Sequence, residues 1–114
     1  MALPTGSGSE RLRRASVYNN NNTWANDVIS GTALHIYTII SIIFTDQQNA
    51  SGLLSMRINN GSNDIYLLSD QAHGARETFV YSDKIVLEED DDLDLYNTCT
   101  AGHWWVSYID QNFE

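Results

Sequence analysis

The amino-acid sequence predicts an all-β protein, an antiparallel β-sandwich or jelly roll of about eight short strands. Short runs of β-branched and aromatic residues recur along the chain, and turn residues separate them at regular intervals. No stretch repeats its apolar residues with a helical period over a useful length. The run from Ala33 to Thr45 holds five isoleucines between Ile36 and Phe44. Its β-branched residues favour a strand because they fit a pleated surface.

We predict that this run is the central strand of the fold. Alternate side chains of a strand point to opposite faces, and here both faces are largely apolar. A strand buried on one face only should alternate apolar and polar residues, so we expect sheet, loop or a neighbouring subunit to cover both sides. The predicted faces are Ile36, Thr38, Ile40, Ile42 and Phe44 on one side, and Tyr37, Ile39, Ser41 and Ile43 on the other.

The other predicted strands are shorter runs of the same kind. An edge strand is expected at 12–18. The clearest hairpin joins 53–58 to 65–68, because the Asn60-Gly61 pair between them supplies the positive φ that tight hairpin turns need. A loop is expected over 69–75. The remaining strands are predicted at 24–29, 78–81, 85–87, 93–96 and 104–109. The runs 78–81 and 85–87 are either two short strands or one strand with a bulge between them.

The length of 114 residues predicts one domain. We assign residues 1–14 to a flexible N-terminal arm, because residues 2–9 are small, polar and Gly-rich, and residues 15–114 to a single sandwich domain. No N-terminal targeting pattern is present, and no apolar run reaches about 18 residues, so we expect a soluble protein without a membrane partner. Cys99 is the only cysteine, which excludes an internal disulfide.

The formal charge of −9 is unevenly distributed along the chain. Residues 1–30 contain three arginines, Arg11, Arg13 and Arg14, against two acidic residues, so the negative charge lies in the remainder. An acidic body argues against nucleic acid as a partner, since phosphate binding needs clustered Lys and Arg. We expect the three arginines to bind an acidic protein surface, for which another copy of this chain is a candidate.

No motif in the sequence indicates catalysis or a cofactor. The acidic run Glu88–Asp92 lacks the residue order of an EF-hand loop, so we interpret it as a solvated turn whose crowded charge attracts cations or a basic patch. His35, His73 and His103 are too widely spaced from one another and from Cys99 to predict a metal site. No Gly-x-Ser-x-Gly elbow occurs. We therefore expect a non-enzymatic protein with no catalytic residue, cofactor or metal.

Aromatic residues offer a second possible binding surface. Trp24 and Trp104 are candidate partner-binding residues that could stack against a sugar, although such residues more often fill a core or a subunit contact. Trp104 and Trp105 must point to opposite faces of one strand, so at most one of them lines a given groove. The sequence leaves both interpretations open.

Five stretches, taken together and in order, resemble a known class of proteins. They are Ala2–Glu10, His35–Ile43, Asn60–Ile65, Lys84–Leu87 and Val106–Gln111. The chain resembles small virion structural proteins of tailed bacteriophages, particularly those of aquatic and cyanobacterial hosts. The resemblance covers most of the chain.

The resemblance implies a soluble all-β protein that is made in the host cytoplasm and built into the virion as a multimer. It implies a capsid decoration or cement protein that binds the major capsid protein and stabilises the particle. A neck or tail accessory protein is the nearest alternative, and a carbohydrate-binding or host-surface module is another. We expect a homo-oligomer because the central strand is apolar on both faces, and a trimer because icosahedral shells offer threefold positions.

Overall fold

The computed structural model describes residues 9–20 and 22–114, and these residues form nine β-strands and no helix. Within this part of the chain there is accordingly no helix that could cross a membrane. The all-β prediction is confirmed. The strands are β1 (Ser9–Asn19), β2 (Thr23–Ser30), β3 (His35–Asp46), β4 (Gly52–Asn59), β5 (Asp64–His73), β6 (Thr78–Tyr81), β7 (Ile85–Leu87), β8 (Asp92–Asn97) and β9 (Gly102–Asn112).

The strands build two antiparallel sheets that pack face to face. Sheet A has the order β1-β9-β3, and the free edge of β3 pairs with β7 near its start and with β6 near its end. Sheet B has the order β2-β8-β4-β5. Because β1 to β4 alternate between the sheets, each of the first three connections crosses the sandwich. The predicted β-sandwich is confirmed.

The apolar core lies between the two sheets. It consists of inward side chains from both sheets, and burying each large one contributes about 1.5–3 kcal/mol. This burial is the main force that holds the sheets together. The fully buried apolar side chains are Ile39, Ile42, Phe44, Leu54, Met56, Leu87, Leu93, Leu95 and Val106.

β3 is the central strand of sheet A, as predicted, but its faces differ from the prediction. The pairing of β3 with β9 shifts register between Ile39 and Ser41, which leaves Ile40 as the extra residue of a β-bulge. One extra residue moves every later side chain to the opposite face. Ile42 and Phe44 therefore join Ile39 on the buried face. The predicted faces were wrong beyond Ile40 for this reason.

β1 begins earlier than the predicted edge strand. It pairs with β9 along its whole length, from Ser9 opposite Asn112 to Asn19 opposite Gly102. Residues 9–14, which were predicted to belong to the flexible arm, therefore lie in a sheet. They form a strand because β9 extends far enough to satisfy their backbone groups. The rest of the predicted arm, residues 1–8, lies outside the described residues.

β5 is longer than predicted and replaces much of the expected loop over 69–75. The β4–β5 hairpin forms around Gly61, whose φ of 93° is the positive value expected of an Asn-Gly turn. Its pairing is then irregular around Met56 and Leu68. At this irregularity Asp70 has a φ of 53°, and its backbone N–H donates to Ser55 Oγ at 3.0 Å. β5 then continues beside β4 as far as His73.

Candidate interaction surface

The outward side of sheet A presents a broad apolar surface. Its side chains come from alternate positions of β1, β9 and β3 and from β6 and β7. Leu12 is 81% exposed, and Val80 and Val86 are each 55% exposed. Exposed apolar side chains grouped on one face are typical of interaction surfaces. We call these residues the apolar face: Leu12, Tyr18, Ile36, Ile43, Val80, Val86, Trp105 and Ile109.

The apolar face carries little charge. On this side of sheet A, the described strand positions include one acidic residue, Glu10 near the start of β1, and one arginine, Arg14. Most of the 15 acidic residues of the chain therefore lie elsewhere. Two copies of this face can therefore approach each other without bringing many carboxylates together.

A groove runs beside Trp105 on the apolar face. The guanidinium of Arg14 lies over the indole of Trp105, 4.7 Å from the ring centroid, and this cation–π contact ties β1 to β9. The groove has a volume of about 340 Å³. Its lining includes Tyr18, Ile43, Thr45 and His103.

The three arginines predicted to bind a partner are divided between the two sides of β1. Arg14 lies on the apolar face, as described above. Arg13 points to the other side of β1, where its Nη1 donates to Oδ2 of Asp110 at 3.1 Å. Arg11 lies on the same side of β1 as Arg13, is exposed at the edge of sheet A, and lines a pocket together with Arg13 and Asp110. The three arginines do not form one basic patch, because Arg14 points to the opposite face of the strand from Arg11 and Arg13.

Asp110 is a buried carboxylate that anchors β1 to the rest of sheet A. Its Oδ1 lies 2.7 Å from Nδ1 of His35, and its Oδ2 accepts the hydrogen bond from Arg13. Burial alone would raise the pKa of Asp110, but the hydrogen bonds from His35 and Arg13 outweigh it, so this pKa is lowered below its ordinary value. The carboxylate is therefore ionised at neutral pH, and it links its own strand, β9, to β1 through Arg13 and to β3 through His35.

Arg11 and the acidic run lie at opposite edges of sheet A and at the same position along the strand direction. The run forms a turn after β7, in which the backbone N–H of Glu88 donates to Oδ2 of Asp91 at 2.8 Å. We call Glu88–Asp91 the acidic turn. The positive Arg11 and the negative acidic turn therefore lie at the two ends of one row of paired residues that crosses the sheet. The residues aligned across that row are, in order, Arg11, Asp110, Tyr37 and Leu87, which directly precedes the acidic turn.

Trp24 lies on the outward side of sheet B in a cluster of its own. Its ring centroid is 5.0 Å from that of Tyr96 and 6.0 Å from that of Tyr66. The guanidinium of Arg57 lies 3.9 Å from the Trp24 centroid, and its Nε donates to Oδ2 of Asp94 at 3.0 Å. The ring of Trp24 is therefore partly covered by side chains of its own chain.

Trp104 lies in the core. It is 2% exposed, its ring packs 4.8 Å from that of Phe44, and its Nε1 donates to Oδ1 of Asn97 at 3.0 Å. Trp105 is 43% exposed, which confirms the prediction that these two side chains point to opposite faces. Of the two, the exposed indole is the one that can contact a partner.

Sequence reasoning missed most of the apolar face. It selected charged and aromatic residues, whereas the most exposed apolar positions include Leu12, Val80 and Val86. β6 and β7 are too short for alternation to distinguish an inward from an outward side chain. The one signal present was the apolar character of both faces of β3, which predicted a cover on each face. The described residues provide that cover on the inward side of β3 and not on its outward side.

No protein-family model matches the chain, and no curated protein matches it by sequence. Solved structures are nevertheless similar to it. One comes from Bacillus endospore appendages, described as disulfide-linked pili, with 11% identity and a TM-score of 0.52 over 100% of this chain and 97% of that chain. A second comes from infectious bursal disease virus, Gx strain, with 10% identity and a TM-score of 0.51 over 99% of this chain.

This chain spans 36% of the length of that viral chain. A third structure is a pentameric capsid protein from metagenomic phage sequences, with 12% identity and a TM-score of 0.45 over 89% of this chain and 59% of that chain. The first two similarities show a shared fold, and the third is too distant to add to this. The disulfide linkage of the pili does not carry over directly, because Cys99 is buried.

Proposed function

We propose that this chain is a virion structural protein of a tailed bacteriophage that acts by assembly and not by catalysis. The observation that carries the proposal is the apolar face, a largely uncharged surface on an otherwise acidic protein. Such a surface is favourable only when another protein covers it. Within the virion, we propose that the protein is a capsid decoration or cement protein that binds the major capsid protein.

The architecture supports this proposal without requiring it. Strands that alternate between two sheets, with β1 beside β9 and β2 beside β8, follow the pattern of a jelly roll, which viral capsid domains use. Lectins use the same architecture, so the fold alone does not decide between a structural and a sugar-binding role. Folds shared with a pilus chain and a viral chain agree with the structural role.

The proposed occupant of the apolar face is a second copy of the same chain. Identical copies carry the same net negative charge, so they associate best through the surface with the fewest carboxylates. The apolar face is that surface, and its side chains are those that subunit contacts favour, including Trp105 and Tyr18.

Charge complementarity further favours a closed ring of copies. Rotation about an axis parallel to the strands keeps every residue at its own height, so Arg11 at one edge of sheet A would meet the acidic turn of the next copy. Because Arg11 and the acidic turn lie at opposite edges, each copy would contact one neighbour with one edge and the next neighbour with the other edge. Such a head-to-tail contact generates a ring when the rotation closes. A trimer with the apolar faces toward its axis uses both contacts at once.

Attachment to the major capsid protein is assigned to the N-terminal segment. Residues 2–8 are uncharged and mostly small, and they directly precede the edge strand that carries Arg11. Many identical weak contacts, repeated by the symmetry of a shell, can hold such a protein firmly. A neck or tail accessory protein would assemble in the same way at a different position on the particle.

The sugar-binding alternative is weaker because its candidate residues are engaged. Trp104 is buried, and Trp24 already packs against Arg57, Tyr66 and Tyr96. A glycan array of the wild-type protein tests this alternative. A saturable sugar signal that is lost on Trp24→Ala would favour the binding module over the structural protein.

The test of the proposed function is localisation on the phage that encodes the chain. Cryo-electron microscopy of purified particles should show the sandwich on the capsid surface, and particles lacking the gene should be less stable to heating. A chain with residues 2–8 deleted keeps β1 complete and should oligomerise normally but bind gene-deleted particles more weakly. Density at the neck or tail would support the accessory role, and absence of the protein from purified particles would overturn the proposal.

A further inference from the structure

Three side chains with metal-binding atoms converge at one end of the sandwich. Asp46 is the last residue of β3, His73 is the last residue of β5, and Cys99 lies in the turn between β8 and β9. One carboxylate oxygen, one ring nitrogen and the Cys99 Sγ lie within 4.8 Å of one another. All three residues are buried, at 1%, 4% and 6% exposure respectively.

Two atoms of this cluster have no hydrogen-bond partner among the described residues. Oδ1 of Asp46 accepts from the backbone N–H of Gln48 at 2.8 Å, but Oδ2 accepts nothing. Nδ1 of His73 lies 3.0 Å from the carbonyl oxygen of Gly74, whereas Nε2 has no partner. Leaving such buried polar atoms unpaired is costly, so two in one place call for a ligand.

An Asp–His ion pair does not account for the cluster. Oδ2 of Asp46 and Nδ1 of His73 are 3.7 Å apart, which is too long for a hydrogen bond. The pair would also leave Nε2 of His73 unsatisfied and would give Cys99 no role.

We propose that Asp46, His73 and Cys99 bind a zinc ion. A thiolate, an imidazole and a carboxylate form a donor set that suits Zn²⁺ better than Mg²⁺ or Ca²⁺, which prefer oxygen ligands alone. The charges of Cys99 thiolate and Asp46 carboxylate balance the two positive charges of the ion. The thiol proton leaves to solvent on binding, and no redox change is involved.

The groups around the cluster fit this role. The carbonyl of Gly74 can accept the Nδ1 proton of His73, which leaves the electron pair on Nε2 for the metal. Nδ2 of Asn97 lies 3.5 Å from Sγ of Cys99 and can donate to it, which favours the thiolate. Three protein ligands leave the fourth tetrahedral position for water or for another ligand.

The site would join the two sheets. Asp46 ends a strand of sheet A, His73 ends a strand of sheet B, and Cys99 lies in the turn that connects the sheets. A bound ion would close this end of the sandwich and raise the melting temperature, because binding to the folded state alone stabilises it. This inference does not depend on the virion role proposed above.

The test is a titration of the purified, metal-free full-length protein with Co²⁺ and Zn²⁺. Wild-type protein should take up about one ion per chain, and the Co²⁺ form should show a thiolate-to-cobalt charge-transfer band and the visible bands of tetrahedral cobalt. Zn²⁺ should displace Co²⁺ and raise the melting temperature by several degrees, and a chelator should reverse the rise. A folded wild-type protein without a thiolate band overturns the proposal, and that result needs no variant.

Variants locate the site. Cys99→Ala should remove the thiolate band and weaken Zn²⁺ binding at least about 100-fold, since losing partners outside the ligand set already costs about 10- to 100-fold. His103→Gln is the matched control, because His103 lies on the outward side of sheet A and hydrogen-bonds Gln47. Equal Zn²⁺ affinity of Cys99→Ala and wild type, or equal losses in Cys99→Ala and His103→Gln, would show adventitious binding and contradict the proposal.

Discussion

Trp104 and Trp105 are consecutive residues of β9 whose side chains point to opposite sides of sheet A. Trp104 donates its indole hydrogen to Asn97 inside the core, at 3.0 Å, and Trp105 lies outside beneath the guanidinium of Arg14. The same strand therefore places one indole in the core and leaves the other exposed on the apolar face. This division separates two properties, stability and assembly, that substitutions can test independently.

Trp104→Ala should destabilise the protein severely. The change leaves a cavity beside Phe44 and removes the donor to Asn97, so we expect a loss of about 3–5 kcal/mol in the free energy of unfolding. Trp105→Ala should leave the far-ultraviolet circular dichroism spectrum unchanged. Urea unfolding monitored by circular dichroism compares the two, and equal losses would mean that the assignment of inward and outward faces is wrong.

Ile42 and Ile43 provide a second matched pair on β3. Ile42→Asp should unfold the protein, because Ile42 is 1% exposed and an unpaired carboxylate cannot be buried in the core. Ile43→Asp places the same charge on the apolar face and should yield a folded protein that no longer associates. Circular dichroism and size-exclusion chromatography distinguish these outcomes. A folded Ile42→Asp variant would contradict the bulge at Ile40.

The Asp110 cluster predicts an acid-sensitive part of the stability. The pKa of Asp110 is lowered in the folded protein from an ordinary value of 3.8. A carboxylate with a lowered pKa contributes stability that is present above its ordinary pKa and is lost as the pH falls through its folded pKa. Stability should therefore fall as the pH drops below about 4, and the loss should include separation of β1 from β9.

Asp110→Asn should remove this part of the pH dependence. At pH 7 the variant should lose about 1–3 kcal/mol, because the hydrogen bonds from Arg13 and His35 no longer reach a charged acceptor. Denaturant unfolding at several pH values measures the effect, with the exposed Asp83→Asn as control. If wild type and Asp110→Asn lose stability in parallel between pH 7 and 3, Asp110 does not supply the acid sensitivity.

Arg11 should contribute to assembly through the acidic turn of a neighbouring copy. Arg11→Gln should weaken association by about two- to fivefold for each contact, which is the range of exposed ion pairs. Raising the salt concentration should weaken the wild type in the same way, since screening acts over about 10 Å at 0.1 M salt. Arg76→Gln, another exposed arginine, should have no effect. Equal salt dependence of wild type and Arg11→Gln would contradict this contact.

The sequence predicted the fold class because its signals are local. β-branched runs, the Asn60-Gly61 turn and the apolar character of β3 each depend on a few neighbouring residues, and each gave a correct element. The bulge at Ile40 was not predictable, because it arises where β3 pairs with β9 and has no residue signature. The start of β1 at Ser9 likewise depends on the length of its partner strand.

The candidate sites were harder to predict because they depend on which strands become neighbours. The wide spacing of the histidines from one another and from Cys99 argued against a metal site in the sequence. The fold nevertheless brings Asp46, His73 and Cys99 together from three distant segments. The arginines were correctly noticed as the main positive charges, yet strand geometry separates Arg13 from Arg14. Which charged residues act together is therefore a property of the fold.

The central claim is that copies of this chain cover the apolar face, and the oligomeric state tests it most directly. Sedimentation velocity of the wild-type protein at micromolar concentration should show a trimer. Trp105→Asp, which places a carboxylate at the centre of that face, should sediment as a folded monomer. A wild-type protein that remains monomeric across this concentration range, or a Trp105→Asp variant that assembles as well as the wild type, would contradict the account.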